Sequence, residues 1–180
     1  ERLDQLAPSE ADHLVTKALA LEKTDAAEAE KVYREALNHD AEHDGARVGL
    51  ARALFQQDKV DEIETLLDAV STDGPQGAEA QRILGELKLK NLDAGGDEEE
   101  LRSKVEADPE NAQLRYELGC QLGKSGKHQE GLEMLLSAAE LDFTLAGGKV
   151  REAMVQIFYS LGADHPLSNE YRSKLARLLY

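Results

Sequence analysis

The chain has 180 residues, with thirty-six acidic side chains against twenty-one basic ones and a net charge of −15. That field suits neither nucleic acid nor an anionic membrane, and no apolar run approaches the roughly 18 residues needed to cross a bilayer. Hydrophobic residues make up 41% and aromatic ones 4%, with no Trp and one Cys; this fits Ala/Leu-rich helices, excludes an intrachain disulfide and accords with the reducing cytoplasm.

Ser9 followed by Glu10 and Asp12 predicts a helix start, with acid in the first turn where the helix dipole favours it. That helix runs to about Glu22 and turns at Thr24 and Asp25. Ala29, Val32, Tyr33, Ala36 and Leu37 then recur at i, i+3, i+4, i+7 and i+8, the apolar stripe of a second helix ending at Asn38-His39-Asp40. Val48, Leu50, Ala51 and Leu54 mark a third helix, and Ile63, Leu66, Leu67 and Val70 a fourth, across the polar turn Gln57-Asp58-Lys59. Ile83, Leu84 and Leu87 mark a fifth. After a loop at 93–96, Asp97 to Glu100 open a short helix that only Leu101 and Val105 anchor before Pro109. Residues 112–145 read as a regular pair around the turn 123–128. A last pair follows, one helix over about 146–161 and one from Pro166 to Tyr180, because Pro favours a first helical turn.

These elements repeat. Leu50, Leu84 and Leu118 lie 34 residues apart, as do Ala51, Gly85 and Gly119, and likewise Tyr33, Leu67, Leu101 and Leu135; Pro75 and Pro109 share the spacing. The period resembles the tetratricopeptide pattern. It implies an all-α, right-handed superhelical stack of about ten helices, since a single helix pair cannot bury its apolar stripe alone. One domain, 1–180, is expected, with repeats at about 10–43, 44–77, 78–111 and 112–145 and a closing pair at 146–180. Gly or Ala at 51, 85 and 119 would allow close helix approach. The first repeat slips, with Lys17 where a small residue belongs.

No motif points to an enzyme, a cofactor or a metal. Gly119 to Ser125 superficially resembles a phosphate-binding loop, but only three residues separate its glycines, and it lies within a helix and turn. His39 and His43 are four apart but straddle a helix end, which breaks the shared geometry a metal needs. Asp97 to Glu100 lack the alternating ligands and central Gly of a calcium loop. Cys120 has no basic neighbour to activate it and reads as a buried thiol.

The C-terminal part carries a more specific likeness. The run from Val105 to Asn111, then Leu118–Leu122, Gly126-Lys127, Glu133–Leu136, Asp142, Gly148, Arg151 and Ile157–Leu161, lead to a close at Tyr171-Arg172, Lys174-Leu175 and Leu178-Leu179-Tyr180. Together they resemble the C-terminal region of bacterial thioredoxin-fused tetratricopeptide co-chaperones. The likeness is sharp over about the last 80 residues and holds earlier only at the level of repeats. It implies a co-chaperone half that holds unfolding clients and passes them to a chaperonin. The sequence has neither room before Ser9 for a thioredoxin-like domain nor a Cys-x-x-Cys, so no redox activity carries over. Glu1 in place of Met suggests a piece of a longer or processed chain.

Two surfaces are candidates for protein binding. Positions 2, 5, 9 and 12 of each first helix line the inner face of such a stack: Gly45, Val48, Arg52 and Phe55; Glu79, Arg82, Glu86 and Leu89; Gln113, Tyr116, Cys120 and Gly123. Val48, Arg52, Phe55, Arg82, Leu89 and Tyr116 are the expected contacts, with the two arginines reading acidic groups and Phe55 either an anchor or a packing residue. The second surface is the last helix, with Tyr171, Arg172, Leu175, Leu178, Leu179 and Tyr180, which serves either as a cap alone or as a cap that also docks a partner. A structural scaffold that binds one defined peptide is the alternative to a co-chaperone.

Overall fold

In this computed structural model, which describes residues 7–162 and 164–179, helix α1 (Glu10–Leu21) begins at a reciprocal cap. Ser9 Oγ accepts from the Asp12 N–H at 3.1 Å, and the Asp12 carboxylate accepts from the Ser9 N–H at 2.7 Å. Asp25 caps α2 (Ala26–His39) by accepting from the Glu28 N–H at 2.9 Å, and α3 (Asp44–Gln56) and α4 (Ile63–Asp68) follow. Pro75 is the first residue of α5 (Pro75–Asn91), where its missing N–H costs nothing. Asp97 caps α6 (Glu98–Ala107) and Asn111 caps α7 (Ala112–Lys124), each accepting from the N–H three residues on. Then come α8 (His128–Leu141), the single turn α9 (Phe143–Leu145), a π-turn over Ala146–Val150, α10 (Arg151–Leu161) and α11 (Pro166–Leu179). No strand occurs among the described residues. The chain is all-α, and its helices pack in pairs.

Two compact units form, one up to Leu84 and one from Gly85. In the first unit α2 lies between α1 and α3. Ala18, Ala29, Ala36, Ala51 and Ala53 are fully buried along these seams, and Tyr33, Leu50, Leu54 and Ile63 fill the space between them. Glu30 ties α2 to the turn after α3. It accepts from Lys59 Nζ at 2.8 Å, Gln57 Nε2 at 2.9 Å and Arg34 Nη2 at 3.1 Å. The fourth helix is shorter than its apolar pattern predicts. Glu62 offers no side-chain cap, and Val70 is buried beyond the helix end.

In the second unit α7 and α8 cross at two glycines. A Cβ on Gly119 would lie 3.0 Å from the Leu135 backbone N, and one on Gly131 would lie 2.9 Å from the Gly119 carbonyl oxygen. The closeness anticipated at Gly119 is therefore met by a second glycine opposite. Leu132, Leu135, Met154 and Ile157 are fully buried beside this crossing, each contributing about 2 kcal/mol by leaving water. Leu101, Leu118 and Leu122 form a smaller cluster that holds α6. The expected continuous helix over 146–161 is broken: Gly148 takes φ −113° and ψ −108°, and regular α-helix resumes at Arg151. Gly147 and Gly148 both have open space where a Cβ would be, so no packing enforces helical dihedrals there.

Candidate functional site

The first unit carries an open groove of about 260 Å³. Val15 and Leu19 from α1, Gly45, Val48 and Arg52 from α3, and Pro75, Gln76 and Glu79 from α5 line it, with Tyr33 of α2 beneath. The spacings explain the convergence, because i, i+3, i+4 and i+7 positions share one face of a helix. On α1 the next position of that face is Glu22, and one turn before Val15 lies Asp12.

Charged groups form a continuous chain along this groove. The Tyr33 hydroxyl donates to the Glu22 carboxylate. Arg52 grips the same carboxylate through both of its faces, Nη2 at 2.7 Å and Nε at 3.1 Å, a bidentate pair. Its Nη1 lies 3.6 Å from Glu79 Oε1. Arg82 completes the series with two bonds of 2.8 Å to Glu79. Burial and then Glu22 push the Tyr33 phenol above its ordinary value. Burial pulls the Arg52 guanidinium down, but the bonds to Glu22 and its charge outweigh this and leave it raised. The bonds from Arg82 hold the Glu79 carboxyl low against the opposing effect of burial. At the end nearer Asp12, His43 caps α3: its Nδ1 accepts from the Ala46 N–H at 3.2 Å, while Nε2 lies 3.1 Å from Asp12 Oδ1.

The residues expected on the inner face are distributed as follows. Val48 and Arg52 line the groove, Val48 with only 3% of its surface exposed. Arg82 stands beside it through Glu79, and Phe55 is half-buried one turn past Arg52 on α3. Leu89 and Tyr116 belong to the second unit. Leu89, 4% exposed, packs toward Gly123 in the core and offers little surface. Tyr116 is half-buried there with Lys149 Nζ 5.7 Å above its ring. Cys120 is fully buried and its thiol is pushed up to about 11, chiefly by burial. Val15, Leu19, Glu22 and Tyr33 escaped the position rule. Leu19 was the available signal, an apolar residue off the buried stripe of Ala11, Leu14 and Ala18 and 54% exposed.

On α11, Tyr171 and Leu175 are buried in the second unit's core, and Leu178 and Leu179 pack partly against it. Tyr171 donates to Glu133 at 3.3 Å, with Lys174 4.2 Å above its ring, and Arg172 lies 5.2 Å from the Phe158 ring. Tyr180 lies outside the described residues. Lys174, Arg177 and Leu178 border a shallow hollow with Leu136 and Glu140 of α8. Among the described residues no three His, Cys, Asp or Glu side chains could hold a metal ion, and no helix is long and apolar enough to cross a membrane.

A protein of Haemophilus influenzae described as an uncharacterized protein is 26% identical over 117 aligned residues, covering 56% of this chain. The match spans 54% of that relative, about half its length. Among solved structures, a domain of protein VP0806 (unknown function) from Vibrio parahaemolyticus is 21% identical with a TM-score of 0.42, over 94% of this chain and 99% of that one. A double mutant titled MamA RS-1 ArsTM is 20% identical with a TM-score of 0.40, over 96% and 97%. At such TM-scores neither likeness bears on what this chain does. Two family models match, both described as tetratricopeptide repeat, one over residues 20–87 and the other over residues 92–180, and it is as tetratricopeptide repeats that the helix pairs of this chain are identified.

Proposed function

We propose that the chain is a non-enzymatic protein-binding module whose first-unit groove holds a segment of a partner protein. Tetratricopeptide repeats generally mediate protein–protein interaction and are typically non-enzymatic. The observation that carries the reading is the groove itself: an exposed Leu19 beside Val15, Val48 and Pro75, next to a chain of fixed charges. Apolar surface beside a preorganised polar rim is what an anchor side chain needs. The likeness of residues 101–180 to thioredoxin-fused co-chaperones supports a finer reading, the client- or chaperonin-binding half of such a cytoplasmic protein.

The test is aggregation of a chemically denatured model client, followed by light scattering with and without the full chain. A co-chaperone half slows aggregation at stoichiometric amounts, and Leu19→Ser reduces the effect. A chain that leaves aggregation unchanged yet binds one defined peptide tightly is the structural scaffold instead.

A further inference from the structure

The reading of the groove as a peptide site leaves the chemistry of the peptide open, and the arginines decide it. On residue type alone, Arg52 and Arg82 are expected to read acidic groups. In the structure both guanidiniums are engaged by the chain's own carboxylates, Arg52 by Glu22 and Glu79, Arg82 by Glu79. An acidic ligand would have to displace Glu22 or Glu79 and would then face the charge it displaced. Beyond the groove the balance tilts the same way, since the sequence up to Leu84 holds nineteen acidic and nine basic residues. Screening at physiological salt cuts in at about 8 Å, and since Glu22 and Glu79 are matched by Arg52 and Arg82, the unmatched carboxylates nearest the groove decide the sign. Asp12, half exposed one turn before Val15, adds a carboxylate at one end, and Glu79 lies at the α5 side.

We propose that the first-unit groove binds an extended basic peptide segment. An aliphatic side chain of that segment settles among Val15, Leu19, Val48 and Pro75. A flanking Lys or Arg side chain faces Asp12 at the α1 end, while Glu79 stays with Arg82 and Arg52. The Glu22–Arg52–Glu79–Arg82 chain balances its own charges and serves as a rigid wall, which leaves the ligand's cation to Asp12 and to the acidic excess of the unit.

Fluorescence anisotropy on the full chain tests this with two labelled unstructured peptides of equal length. One is composed of Leu, Lys and Gly; the other has every Lys replaced by Glu. The Lys peptide should bind at least roughly tenfold more tightly, with affinity falling as salt rises. Leu19→Ser, at an exposed position, should weaken it about tenfold without moving the melting temperature. Gln76→Lys, which puts a cation on the groove lining, should also weaken it, and this variant decides the matter if Leu19→Ser perturbs folding. Equal or tighter binding of the Glu peptide, sensitive to Leu19→Ser, overturns the basic assignment while sparing the groove as a peptide site. Binding of the Lys peptide that ignores both substitutions overturns the assignment to this groove. Binding of neither peptide overturns both readings.

Discussion

The ring of Tyr33 lies so close to Gly49 that a Cβ on the glycine would come within 2.2 Å of Tyr33 Cζ. The ring is fully buried and its hydroxyl is held by Glu22, so it has no direction in which to yield. Gly49→Ala gains up to about 1 kcal/mol of helix propensity inside α3. Overpacking of this kind costs about 1–3 kcal/mol or more. The clash should win, with a net loss of about 2 kcal/mol by urea denaturation. Unchanged or raised stability would show that the ring moves freely.

Acid should loosen the first unit. The hydrogen bonds from Ser9, then that with His43, hold the Asp12 carboxyl at about 2, against an ordinary 3.8. Glu30, Glu62 and Glu79 are likewise depressed, chiefly by Lys59, Arg34 and Arg82 respectively. A carboxylate depressed on folding contributes its stability fully above the unfolded value. That contribution is lost as pH falls through the folded value. The melting temperature should therefore fall between pH 3.8 and about 2 in the window set by Asp12, and Asp12→Asn should flatten that slope. A melting temperature that holds level across the window would refute this.

Helix α6 should exchange its amide hydrogens before α7 and α8. Its only fully buried side chain is Leu101. Two ion pairs tie it to the start of α8, Glu98 with Lys127 at 2.7 Å and Arg102 with Glu130 at 2.6 Å. Both are open to water, where salt screens the attraction and ordering two long side chains offsets much of it. They cannot make up for the sparse apolar contact. Protection in 98–107 equal to that in 112–141 would contradict the argument.

The last helix should matter for stability through two residues. Leu175 is 6% exposed in the second unit's core, so Leu175→Ala should cost about 3 kcal/mol. Arg177, exposed at the rim of the hollow beside Glu140, should tolerate Gln with a change below about 0.5 kcal/mol. Comparable losses from both substitutions, measured by thermal unfolding, would mean that charge rather than packing seats α11.

Much of the helical order was legible because its signals are local. Ser9, Asp97 and Pro166 each start a helix where their chemistry predicts. The α3 side of the groove followed from the repeat period. The α1 side did not, because Lys17 broke the register and hid Val15 and Leu19. The engagement of Arg52 was invisible for a different reason. Arg52 meets Glu22 from 30 residues away across two helices, and residue type alone cannot tell a paired cation from an available one. The break at Gly148 was missed because a Gly-Gly step fits a helical pattern as well as a kink.

The two close approaches differ in what evolution can do with them. At Gly49 the obstacle is a side chain, so a smaller residue at 33 can accommodate a larger one at 49, and the pair can drift together. At Gly119 and Gly131 much of the obstacle is the backbone of the facing helix: the Leu135 nitrogen and Gly131 carbonyl on one side, the Gly119 carbonyl and Gly123 nitrogen on the other. No side-chain substitution shrinks a main chain. Second-site suppressors are therefore within reach at the first position and out of reach at the crossing, where the helices themselves would have to part before either glycine could be replaced.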